Sequence, residues 1–148
     1  MKTLITGHRL HKLQSYNTLW IRNSIWEALG CTFLRNTSYG LSGMASGVDL
    51  WFCDELHKMN IPYAACIPFE GQDKTMDEDS KTERARLIET ASDVLHIRNS
   101  QMVEKCDAAL VVFDGNKGGT HNVFQQLIEK RKPFIWLNPV AERRWECV

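Results

Sequence analysis

Two glycine-rich stretches carry the residue types that bind anions. One is Ser42-Gly43-Met44-Ala45-Ser46-Gly47-Val48-Asp49, the other Asp114-Gly115-Asn116-Lys117-Gly118-Gly119-Thr120. Each follows an apolar run and opens a segment with helical spacing. A turn of this kind aims backbone N–H groups and a helix N-terminus into a crevice, which favours an anion such as a phosphate. In the first, the small residues Gly43, Ala45 and Gly47 flank Met44 and leave room for backbone to approach a ligand. Asp49 either accepts hydrogen bonds from ligand hydroxyls or only favours the helix N-terminus. In the second, Asp114 leads into the turn, Gly118 and Gly119 bring amides close to a phosphate, and Thr120 adds a hydroxyl or serves as an N-cap.

Other residues are placed to join them. Thr6-Gly7-His8-Arg9 ends the first apolar run, and Arg9 can pair with a phosphate or form a structural salt bridge. Phe69-Glu70 and Arg98-Asn99 follow later runs. Arg98-Asn99 reads equally as a pair that reaches the crevice and as an Asn cap with an Arg bridge to a nearby acid. His8 and His11 have HxxH spacing without a third or fourth ligand in view, so no metal is expected. The acidic segment from Asp73 to Asp79 reads as a solvated loop.

The elements that must hold these residues alternate. The pattern predicts strands at 2–6, 38–42, 62–69, 94–97, 108–113 and 133–137. It predicts helices over 17–29, about 48–59, 81–91 and 99–105, and another beginning near Val123. Alternating strands and helices give a mostly parallel sheet covered on both faces, a Rossmann-like three-layer α/β/α sandwich. Ligands of such sheets bind outside the carboxyl ends of the strands, where strand order reverses. Both glycine turns, Gly7-His8-Arg9 and Phe69-Glu70, fall at that edge. Residues 1–139 read as one domain and 140–148 as a C-terminal tail, with Trp145 tucked back.

Composition narrows the function classes. Eighteen Lys and Arg balance eighteen Asp and Glu, whereas nucleic-acid binders usually carry a basic excess; no nucleic-acid partner is expected. No apolar stretch has the length of a membrane span, and the first residues do not form a signal peptide, so no membrane partner and a cytoplasmic location are expected. The five cysteines form no CxxC pair and read as reduced, mostly buried thiols. Trp20, Trp26 and Trp51 read as core or interface residues.

Taken together, these motifs resemble the YpsA-like branch of the SLOG superfamily, which also includes the DprA (DNA-processing) and LOG (cytokinin-releasing) proteins. The segments that carry the resemblance are Thr6-Gly7-His8-Arg9 with Lys12-Leu13, the Ser42–Asp49 turn, Ile67-Pro68-Phe69-Glu70-Gly71-Gln72, Arg98-Asn99-Ser100-Gln101-Met102-Val103, and Asp114-Gly115 with Gly118-Gly119-Thr120. They occur in the family's order between residues 3 and about 139. The resemblance implies a Rossmann-like fold and a crevice for a nucleotide or a nucleotide-derived ligand, including relatives of NAD, ADP-ribose and cyclic nucleotides. LOG-type hydrolases carry a glutamate three residues beyond the threonine of the second turn, and Val123 stands there in this chain.

The leading expectation is therefore a protein that senses or sequesters a nucleotide, with no required cofactor. Its ligand-binding residues would be Thr6, Gly7, His8, Arg9, Gly43, Met44, Ala45, Gly47, Asp49, Phe69, Glu70, Arg98, Asn99, Asp114, Gly118, Gly119 and Thr120. The alternative is a nucleotide N-glycosidase with Glu70 as its catalytic carboxylate. DprA-like DNA binding ranks third. Homo-oligomerisation is an open expectation, resting on the apolar surface of the Trp-bearing helices.

Overall fold

The computed structural model describes residues 1–147. The chain alternates β1 (Lys2–Gly7), α1 (Leu10–Leu13), α2 (Thr18–Gly30), β2 (Tyr39–Ser42), α3 (Val48–Lys58), β3 (Tyr63–Cys66), α4 (Glu78–Thr90), β4 (Asp93–Leu95), α5 (Asn99–Lys105), β5 (Ala108–Val112), α6 (Gly119–Glu129), β6 (Phe134–Asn138) and β7 (Arg143–Cys147). Seven strands form one sheet in the order β4-β3-β2-β1-β5-β6-β7. All neighbours pair in parallel except β6 and β7. The chain winds outward from β1 through β2 and β3 to β4, then crosses to β5 on the other side of β1. Strand order thus reverses between β1 and β5.

The period-2 alternation of side chains divides the core into two layers. Ile5, Ala65, Leu110 and Val112 face α2, α3 and α4, where Ile21, Ile25, Phe52, Leu56 and Leu87 are buried. Leu4, Ala64, Val111 and Phe113 face α5 and α6, meeting Met102, Val103, Val123 and Leu127. The fold is the expected Rossmann-like three-layer α/β/α sandwich, and strands buried on both faces explain the near-continuous apolar runs in the sequence. Val123 is 2% exposed in this second layer. No helix among the described residues is long and apolar enough to cross a membrane.

Three segments depart from the pattern-based expectation. The helix expected from Lys81 starts at Glu78 because Asp77 caps it, accepting from the Ser80 amide at 3.1 Å. Glu78 and Asp79 then sit in its first turn, where the positive end of the helix dipole favours acids. Part of the acidic segment is thus a helix start, and Gln72–Thr75 forms a short 3-10 turn ahead of it. The run expected as a strand from Pro62 to Phe69 is a strand only at Tyr63–Cys66. Within the segment read as a tail, Arg143–Cys147 is an edge strand, and Val148 lies outside the described residues: β7 pairs antiparallel with β6, with Trp145 opposite Trp136 and ring centroids 4.7 Å apart. Asn138 holds the connecting turn by accepting from the amides of Val140 and Ala141.

Candidate functional site

The site grows from the carboxyl ends of β1, β2 and β5. At Gly7, a Cβ would stand 2.3 Å from Val48 Cγ2 and 2.7 Å from the Val112 carbonyl oxygen. Only a hydrogen fits where β1 passes between α3 and β5. Gly47, at φ +92°, solves a similar problem one layer out: a Cβ there would lie 2.9 Å from the His8 carbonyl oxygen and from the Leu10 nitrogen. Both glycines bring the loop after β1 against the start of α3. That proximity joins the first glycine turn to His8 and Arg9.

Asp114 fixes the other side. Its carboxylate lies 3.2 Å from Lys12 Nζ, accepts from Tyr16 Oη at 3.3 Å and accepts the Asn116 amide at 2.9 Å. Burial pushes this carboxyl up, but the Asn116 amide, Lys12 and His8 outweigh it and hold it well below the usual carboxylate range. The Asp114 amide donates to His8 Nε2 at 3.1 Å. Burial, reinforced by Lys12 and opposed by Asp114, lowers the His8 pKa. A neutral ring that accepts on Nε2 carries its proton on Nδ1. Asp114 is thus an anchor beneath the site, and its carboxylate is saturated by the protein.

Between these supports lies a crevice of about 390 Å³ at the point of strand reversal. Among the expected residues, Thr6, Gly7, His8, Arg9, Gly43, Ala45, Asp49, Phe69, Asn99, Gly118, Gly119 and Thr120 line it. Gly118 and Gly119 face open space, with nothing within 4 Å of a Cβ built on either. Gly118 is the N-cap of α6, so Thr120 lies inside the helix and is not its cap. The first intrahelical bond of α6 runs from the Asn122 amide to the Gly118 carbonyl. The amides before it are the unpaired donors every helix N-terminus leaves.

Five expected residues do not line the crevice. Met44 is fully buried in the core, its sulfur 3.8 Å from Cys53 Sγ, and its amide donates to Ser42 Oγ. Gly47 packs against the loop after β1, and Asp114 sits beneath. Arg98 occupies the N-cap position of α5 and lines an adjoining shallow hollow, which shares Pro68, Phe69 and Asn99 with the crevice. Glu70 is exposed and lies outside the crevice. The carboxylate on the crevice wall is instead Asp49.

The site also contains residues that pattern reading did not single out. Lys12, Lys117 and His121 add basic groups, and Asn116 and Pro68 complete the wall. Asp49 is the one acid among the described residues that line it. A chain of zero net charge thus concentrates positive charge at this edge. Gln72 is buried beneath the first turn. Its Nε2 donates to the Gly43 carbonyl at 2.7 Å, and its Oε1 accepts from Arg84 at 3.1 Å. Arg9, His11, Ala45, Phe69 and Gln72 also border an adjoining cavity of about 540 Å³. Phe69 stands 57% exposed at the shared rim. Lys12 and Gln72 stand inside the quoted motifs, but nothing in their spacing separates a wall residue from a neighbour.

No family model matches the chain. It is 22% identical, over an alignment of 151 positions, to the UPF0398 protein BH1768 of Halalkalibacterium halodurans, covering 86% of this chain and 80% of that protein. Among solved structures it is similar to the X-ray structure of TM1055, a structural-genomics target. The TM-score is 0.58 at 13% identity, over 90% of this chain and 71% of that one. At this identity the likeness concerns the fold. A distant UPF0398 relative and a shared Rossmann-like fold both fit the resemblance drawn from the motifs.

Proposed function

We propose that the crevice binds a nucleotide or nucleotide-derived ligand, and that the protein senses or sequesters it, in keeping with the YpsA-like SLOG resemblance. One observation carries this reading: the open N-terminus of α6, with Gly118 and Gly119 unobstructed, faces the strand-reversal crevice beside Arg9 and Lys117. Unpaired helix amides, the positive end of a helix dipole and two cationic side chains all favour a phosphate. The crevice has the volume of a small-molecule pocket. The N-glycosidase alternative finds less support. Glu70 is not among the residues that line the crevice, and the position beyond the second turn carries Val123, buried in the core.

Mass spectrometry of small molecules released from the purified protein, followed by a thermal-shift panel of ADP-ribose, NAD, cyclic nucleotides and nucleoside triphosphates, tests the reading. A ligand that binds only the folded state raises the melting temperature. Gly119→Asp places a carboxylate at the α6 N-terminus, in open space, and removes the shift while leaving the fold intact. Release of free base from a bound nucleotide would favour the enzyme reading, and a flat response across the panel would count against the site itself.

A further inference from the structure

The two glycine turns look equivalent in sequence but differ in what remains free. In the first, two amides and a hydroxyl are already used by the protein. Met44 N–H donates to Ser42 Oγ at 3.2 Å and Ala45 N–H to Asp49 Oδ2 at 3.2 Å. Ser46 Oγ is occupied by the Leu10 amide at 3.3 Å. Asp49 stands in the first turn of α3 and puts a negative charge at that helix N-terminus. Among the described residues no side chain hydrogen-bonds at the N-cap of either helix, but α6 has no acid in its first turn and its Gly118 and Gly119 face open space.

Asp49 is itself incomplete. The residue is 8% exposed and lines the crevice, and its Oδ1 is buried without a hydrogen-bond partner. A buried carboxylate oxygen without a partner is costly, and such groups are normally satisfied. While Asp49 is ionised a phosphate cannot satisfy it, because both are acceptors. A hydroxyl can.

We propose that the turns divide the ligand between them: the α6 turn holds its single phosphate-bearing end, and Asp49 is the specificity residue that accepts a hydrogen bond from a sugar hydroxyl of the same molecule. This deepens the nucleotide reading and rests on it. The crevice then selects a phosphorylated sugar, as in a ribonucleotide, over a bare anion. The first turn serves as a holder for Asp49, aligned by its bond from Ala45 and by the Gln72 contact to Gly43.

Calorimetric titration with three probes tests this: adenosine diphosphate, its 2′,3′-dideoxy counterpart and inorganic pyrophosphate. A hydrogen bond to a charged group predicts that the wild-type chain binds adenosine diphosphate about 10- to 100-fold more tightly than the dideoxy form. Asp49→Ala should remove that difference and Asp49→Asn reduce it, and both should leave pyrophosphate affinity unchanged or raised, since a negative charge leaves the crevice. Equal binding of the ribo and dideoxy probes by the wild type would overturn the proposal while sparing the nucleotide reading. So would an equal loss of pyrophosphate and adenosine diphosphate affinity in both variants, which would mark Asp49 as purely structural. Binding of none of the probes by the wild type would overturn both.

Discussion

Asp49→Asn is expected to weaken ligand binding and yet stabilise the empty protein. Burial drives the Asp49 pKa up from 3.8 to about 7, against the pull of the Ala45 amide and Arg9. The folded state therefore holds this proton more tightly than the unfolded chain does. The stability linked to the site is complete below about pH 4 and is lost as pH rises through about 7. The full difference between 3.8 and about 7 is worth about 4 kcal/mol, roughly 1.4 kcal/mol per pH unit. That is a large share of the roughly 5–15 kcal/mol that holds a typical domain together. Asparagine keeps the shape and an acceptor for the Ala45 amide but does not ionise. Other groups titrate in both proteins and cancel in the comparison. The stability gap between variant and wild type should therefore widen by about 2–3 kcal/mol between pH 5 and pH 8. Urea unfolding of both proteins at several pH values reads it directly. A gap that stays constant with pH, or a variant less stable than wild type at pH 8, would refute the claim that a buried, poorly satisfied carboxyl sits here.

Other substitutions separate scaffold from site. Gly47→Ala meets backbone atoms at 2.9 Å and a φ of +92°, so it should cost on the order of 2–3 kcal/mol in thermal or urea unfolding; a neutral outcome would mean that the loop after β1 can move away. Asp114→Asn removes the group that raises the His8 pKa and leaves Lys12, which lowers it. The His8 titration followed by NMR should then move further below 6.5, and a rise would show that Lys12 leaves with its partner. Glu70→Gln, on an exposed side chain outside the crevice, should leave nucleotide affinity within about twofold of wild type; loss of binding would return Glu70 to the site.

Much of the fold was legible because its strands are buried on both faces. Residues 108–113 and 62–69 read as apolar runs bounded by turn residues and contain β5 and β3, and α5 begins and ends where its pattern predicts. The weaker readings share a physical cause. Edge strands have little apolar signature: β7 is exposed along its length, and only its pairing with β6 and the Trp136–Trp145 contact define it. At α4 the acidic residues looked like solvent-facing loop, while a single cap at Asp77 turns them into a helix start.

The site was legible at the level of which loops meet, because strand ends in a parallel sheet share one edge. The direction of each side chain was not. Met44 and Asp49 are five residues apart on one turn, yet one fills the core and the other lines the crevice. Nor does composition reveal that Asp114 is saturated by Lys12, Tyr16 and Asn116. Those partners lie up to 102 positions away in sequence or are backbone amides.

The central claim is that a nucleotide phosphate docks on the open N-terminus of α6. Backbone amide NMR during titration with adenosine diphosphate tests it most directly. The largest shifts are expected at Gly118, Gly119, Thr120 and His121, smaller ones near Asp49, and none along β7. Saturating nucleotide that leaves the Gly118–His121 amides unmoved, or shifts confined to another face of the sheet, would contradict it.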